Sequence, residues 1–145
     1  MKEKRTAADV IEDYRSSGHS YSLAMLQDER RIIVTEVYAY AQLLGELKVN
    51  LNLVSTKRKL LYNSLVRSIK DNQKVSGAEA ERLALNDPEF IEALKEESIL
   101  DGRVERGKLM YSAMRDISSA MMQDISISKA ERNYEESMLN GNFNG

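Results

Sequence analysis

His19 is the only histidine in a chain of 145 residues that contains no cysteine. That set excludes a multi-histidine metal site, a thiolate nucleophile and a zinc-thiolate centre. One acid-base candidate remains, and its setting, Ser17-Gly18-His19-Ser20, reads more simply as a loop or helix cap. The acidic pairs Glu96-Glu97 and Glu135-Glu136 do not rescue an enzyme, because adjacent helical side chains diverge by about 100° and cannot converge on one substrate. No Gly-x-x-x-x-Gly-Lys-Ser/Thr loop occurs to cradle a nucleotide phosphate. The expectation is a protein that is not an enzyme and holds no cofactor or metal.

Two other groups could do physical work. Met110, Met114, Met121 and Met122 form either an adaptable partner-binding face or, given their helical spacing, part of a core. The second group is basic. Lys57, Arg58, Lys59, Arg67, Lys70 and Lys74 face the single acid Asp71 between positions 57 and 74. Lys59, Asn63, Arg67, Lys70 and Lys74 recur at spacings of four, four, three and four, which predicts one stripe along a helix. Mobile cations on a helix suit a phosphate backbone, and Tyr62 beside them could stack on a base. The alternative is a solvated face whose charges pair with Glu89, Glu92, Glu96 and Glu97.

The elements that must position these residues are helical. Pro88 is the only proline, and Ala, Leu, Glu, Lys, Arg, Met and Ser dominate. Thr6 should cap a short helix to about Ser17, with Ala7, Val10, Ile11 and Tyr14 on one side, before a break at positions 16–20. A seven-residue repeat follows. Leu23, Arg30, Val37, Leu44, Leu51, Arg58 and Leu65 form one seam, with Leu26, Ile33, Tyr40, Leu47, Val54 and Leu61 as its partner set. This predicts a long helix over about 22–71. Ser76-Gly77-Ala78-Glu79 reads as a capping box opening a connector helix over about 77–86. Asp87-Pro88 then starts a second long helix over about 88–139, whose apolar side runs through Phe90, Leu94, Leu100, Val104, Tyr111, Met114, Met121 and Ile125. Asn140-Gly141 should stop it, leaving residues 140–145 as a flexible tail.

The resulting expectation is all-α: a short N-terminal helix in residues 1–20 and a long antiparallel, coiled-coil-like hairpin in residues 21–139. Two helices leave apolar residues such as Tyr21, Leu43, Leu60, Val66, Ile117 and Met122 outside a two-helix seam, so further chains are expected to complete the core. No apolar run approaches the roughly 20 residues of a membrane span, and the N-terminus lacks the hydrophobic region of a signal peptide. The cysteine-free composition fits a reducing compartment, and cytoplasm is the expected location. Net charge is only −2, so the whole-molecule field favours no polyanionic partner, but a basic block runs directly into an acidic one from Glu79 to Asp101.

Lys57-Arg58-Lys59-Leu60-Leu61-Tyr62 resembles the Lys-x-Arg-Leu-x-Tyr segment of the T4-type phage recombination mediator family, the UvsY-like proteins. Length, the Tyr38-Ala39-Tyr40 stretch upstream and a second long helix agree, so the resemblance covers residues 20–140 as an architecture. It implies a protein of the host cytoplasm that binds single-stranded DNA. It also implies a ring-like homo-oligomer assembled through the C-terminal helical region, and the loading of a recombinase onto strands covered by single-strand-binding protein. Lys57 and Lys59 would then lead the strand contacts, joined by Arg58, Tyr62, Arg67, Lys70 and Lys74. Tyr111, Met114, Met121, Met122 and Ile125 would lie at the oligomer interface. The chain departs from the family in its added N-terminal helix and its more acidic connector. Two rival expectations stand beside this one: a helical scaffold or adaptor whose charges serve pairing alone, and a host-directed phage protein using the methionine face as a helix-in-groove ligand.

Overall fold

The computed structural model describes residues 5–143, among which every regular element is helical. The order is α1 (Ala7–Ser17), a 3-10 turn (Gly18–Ser20), α2 (Leu23–Gln73), α3 (Gly77–Leu85) and α4 (Pro88–Phe143). The protein is all-α, with α2 and α4 packed as a helical hairpin. None of the seam residues expected from the heptad repeat of α2 is exposed: Leu26, Ile33 and Leu44 are buried and the others half-buried. A strict seven-residue spacing returns a side chain to the same neighbour every two turns, and the two interleaved sets fill the seam, which is why it is legible from sequence.

Local chemistry sets the helix ends. Thr6 forms a full capping box: its hydroxyl accepts from the Asp9 backbone N–H at 3.3 Å while the Asp9 carboxylate accepts from the Thr6 N–H at 3.0 Å. At α3 only half of the expected box forms. The Ser76 hydroxyl accepts from the Glu79 N–H at 3.2 Å, but the Glu79 carboxylate turns to Arg82 instead, at 2.5 and 2.9 Å. At the start of α4 the Asp87 carboxylate accepts from the Glu89 N–H at 2.9 Å, with Pro88 as the first helical residue. α2 ends where Lys74 adopts a left-handed φ of 49°, which breaks the helical hydrogen-bond ladder. The stop expected at Asn140-Gly141 is not used, because Gly141 does not take the positive φ of a left-handed cap and α4 continues to Phe143. Of the expected tail, residues 144 and 145 lie outside the described residues.

The chain divides into two compact units: residues up to Ala41 together with those from Leu109, and Gln42–Lys108. In the first, α1 lies across the start of α2 and the second half of α4. Val10, Ile33, Met114 and Met121 are its largest fully buried side chains, joined by Ala7, Ile11 and Ile117 in one apolar cluster. Polar contacts pin α1 at both ends. The Arg5 guanidinium bridges Asp13 at 2.5 Å and Glu29 at 2.8 Å, and the Tyr14 hydroxyl donates to the Asp124 carboxylate on α4. Burial pushes the Glu29 carboxyl above the ordinary carboxylate range, against the pull of Arg5. Gly18 then lets the chain turn against the Tyr14 ring, where an added Cβ would come within 2.6 Å of Cδ2.

In the second unit α2 and α4 run antiparallel, joined through α3. Leu44 sits against Gly107 with its Cδ1 only 3.0 Å from where a Cβ would stand, so the absent side chain permits the close helix approach. Arg58 pairs with Glu97, and the Tyr62 and Phe90 rings pack 5.5 Å apart at 48° nearer the connector. Leu94, expected on the apolar side of α4, is instead partly open to solvent.

Two outcomes are expected of the α1 docking. Met121→Ala should cost about 2–5 kcal/mol in urea denaturation, the usual range for emptying a close-packed site. Burial, and then the hydrogen bond to Asp124, push the Tyr14 hydroxyl up from 10.0 to about 12. Because that value is raised by folding, the stability it contributes is complete below pH 10.0 and is lost as pH rises through about 12. Unfolding curves of wild type and Tyr14→Phe should therefore converge across that alkaline window.

Candidate nucleic-acid interface

The basic residues between positions 57 and 74 meet different fates in the Gln42–Lys108 unit. Arg58 occupies a seam position, and its Nε donates to the Glu97 carboxylate of α4; both side chains are largely shielded from water. The guanidinium is thereby spent on holding the hairpin. Tyr62 is half-buried against Phe90, so its ring is a packing surface at the connector end rather than an open stacking platform. Of the residues expected to touch nucleic acid, these two are turned inward.

Lys57, Lys59, Arg67 and Lys70 are all exposed; Lys59, Arg67 and Lys70 lie with Asn63 on the side of α2 away from α4, whereas Lys57 lies on the other edge of the helix, beside the seam. Among the described residues none of these cations forms an ion pair, and Arg58–Glu97 is the one bridge from the basic block to the acidic one. The pairing alternative for the charges therefore accounts for Arg58 alone. Lys59, Asn63, Arg67 and Lys70 keep the four, four, three spacing of a stripe on continuous helix. Lys74 leaves it, since it follows the last residue of α2 and carries the left-handed turn.

The residues expected at an oligomer interface are redistributed by α1. Met114, Met121 and Ile125 are buried within the chain, so the assignment of these three to a surface between copies is corrected: the N-terminal helix and the start of α2 occupy the space a partner would need. Tyr111 is half-buried, with the Arg115 guanidinium 5.7 Å from its ring centre. Only Met122 of the set is exposed.

A second apolar row lies in this region. On the outward side of α2, opposite the seam, Val49, Leu53 and Leu60 are 58%, 56% and 63% exposed and line up with Arg67. Leu60 was expected outside the two-helix seam, but the spacing of four and seven that joins Val49 and Leu53 to it as a second row, though visible in the sequence, falls outside a pattern of one seam per helix.

Among the described residues no group of three or more His, Asp or Glu side chains is placed to hold a metal ion, and no helix is long and apolar enough to cross a membrane. The site and fold define an all-α helical hairpin with an open cationic flank on its first long helix. Comparison with protein-family models, with curated proteins and with solved structures found no match.

The Arg58–Glu97 bridge is directly testable. Arg58→Ala should lower stability by about 1–2 kcal/mol in urea denaturation, because it leaves a shielded carboxylate without its partner. Replacing both residues by leucine should recover most of that loss.

Proposed function

We propose that this protein binds single-stranded DNA along the outward cationic flank of α2 and acts, without catalysis, as a recombination mediator that helps load a recombinase onto strands covered by single-strand-binding protein. The observation that carries the reading is the set of exposed, unpaired cations Lys59, Arg67 and Lys70 along the outward side of α2. A cation already paired within the chain gains little from a phosphate, because the exchange only swaps one ion pair for another. An unpaired one releases a condensed counterion from the strand and contributes entropy. Arg58 and Tyr62 are left out of the contact set because their side chains serve the hairpin.

Each flank offers few charges, so a single chain would hold a strand weakly at physiological salt. Copies tied into one assembly raise the effective concentration of the remaining flanks, and avidity replaces individual strength. The resemblance of Lys57-Arg58-Lys59-Leu60-Leu61-Tyr62 to the mediator family supports single-stranded DNA as the ligand and a recombinase as the class of partner. A second reading, a helical scaffold or adaptor, is favoured by the exposed row Val49, Leu53 and Leu60, which strand binding does not use. The host-directed reading loses its anchor, since Met114 and Met121 are core residues.

A salt-titrated binding assay on an unstructured oligonucleotide tests the proposal. Changing Lys59, Arg67 and Lys70 to alanine should weaken binding and reduce the slope of log affinity against log salt by about 2, from roughly 0.7 per lost phosphate contact on a single strand. Unchanged affinity and slope would refute strand binding on this flank and leave the scaffold reading.

A further inference from the structure

Within the Gln42–Lys108 unit both long helices present outward faces of opposite character. That of α2 carries the exposed apolar row Val49, Leu53 and Leu60, with Lys57 on one flank. The outward face of α4 carries exposed Ile99 among Glu92, Glu96 and Arg103. An apolar row at the outer side of a helix pair is costly to leave in water, and nothing within the unit covers that of α2 or the exposed Ile99 of α4. We propose that the α2 outer face of one copy docks on the α4 outer face of a second copy of this chain lying alongside it in the same orientation.

Charge complementarity identifies the occupant. Arg58 meets Glu97, Tyr62 meets Phe90 and Leu44 meets Gly107, which fixes which residues of α2 and α4 stand level. Leu51, Asn52 and Ser55 also line one groove with Glu97, Ser98 and Asp101. On this register Leu53 is level with Ile99, Lys57 with Glu96, and Glu46 lies within about a turn of Arg103. A copy placed alongside without reversal keeps those levels, so Leu53 meets Ile99 and Lys57 meets Glu96.

The flanks agree as well. At 100° per residue Lys57 and Glu46 lie about 80° and 60° to one side of Val49. Glu96 and Arg103 lie about 60° and 40° to one side of Ile99. Because α2 and α4 run in opposite directions, those two flanks face the same way when the outer faces meet. Lys57 therefore lies beside Glu96, and Glu46 beside Arg103.

The opposite flank would bring Lys59 near Lys95, a like-charged pair that leaves that edge open to water. Lys59 and Lys70 thus stay available, whereas Lys57 belongs to the neighbour. A reversed copy would set the basic ends of two α2 helices apart from the acidic start of α4 and lose every one of these pairs. The contact joins two different surfaces, so it repeats from copy to copy and ends in a ring or a filament.

The inference stands without the strand-binding reading, and its test contains no DNA. Sedimentation or light scattering of the full chain at micromolar concentration should give a multiple of the monomer mass. Lys57→Glu alone and Glu96→Lys alone should each raise the dissociation constant at least about tenfold, since each sets like charges face to face. Mixed in equal amounts, the two variants should reassemble, because each then offers the other an opposite charge at both faces. Leu53→Asp combined with Leu60→Asp should give monomers whose far-ultraviolet helicity matches wild type, these positions being exposed. A wild-type monomer, charge variants that assemble as wild type does, or a mixture that fails to recover would each overturn the proposal.

Discussion

A pair of helices can bury one face each against the other and no more, and this limit governs the arrangement of the whole chain. α2 is apolar both at its seam and along parts of its outward side, so its partner α4 satisfies only one of its demands. In the unit containing both termini the remainder is met by α1, which closes over Ile33, Met114 and Met121 and converts a two-helix contact into a three-helix core. Dry packing of this kind draws on many small dispersion contacts as well as on removal of apolar surface from water. The polar pins Arg5–Glu29 and Tyr14–Asp124 fix where α1 sits, rather than supplying the bulk of the stabilisation.

The Gln42–Lys108 unit has no third helix along its seam, and its stability rests on a narrower set of contacts. Gly107 admits Leu44, Phe90 stacks on Tyr62, and Arg58 reaches Glu97 across the hairpin. Placing the guanidinium in the seam resolves what would otherwise be a polar gap in a heptad row, because the carboxylate opposite takes up its hydrogen bond. This is also the region where charge is segregated, basic along α2 and acidic along α4. A hairpin turns that sequential segregation into a mainly basic stretch near the end of α2 and a mainly acidic one near the start of α4, and the strand-binding and self-association proposals both draw on these charges.

The fold was readable from sequence to an unusual degree because its rules are local. Spacings of three and four along the chain identify helices, Thr6, Ser76, Asp87 and Pro88 mark starts, and the long heptad run demands an antiparallel partner once the short α3 connector is recognised. Errors arose where an end depends on a backbone choice that side chains only bias. Asn140-Gly141 can end a helix but did not, and Glu79 had two donors within reach and chose Arg82.

The candidate site was legible in outline and misread in detail. That Lys59, Asn63, Arg67 and Lys70 lie on one side of a helix follows from residue spacing, since neighbours three and four apart share a face whatever surrounds them. Which of the basic and aromatic residues remain free does not, because it depends on what stands across the hairpin: Arg58 found Glu97, and Tyr62 found Phe90. The methionines show the same division. Sequence alone determined that Met114 and Met121 belong to an apolar stripe, whereas only tertiary structure decided that the stripe is covered by α1 of the same chain. Periodicity records which direction a side chain points along its own helix, but it holds no information about which distant segment arrives to meet it.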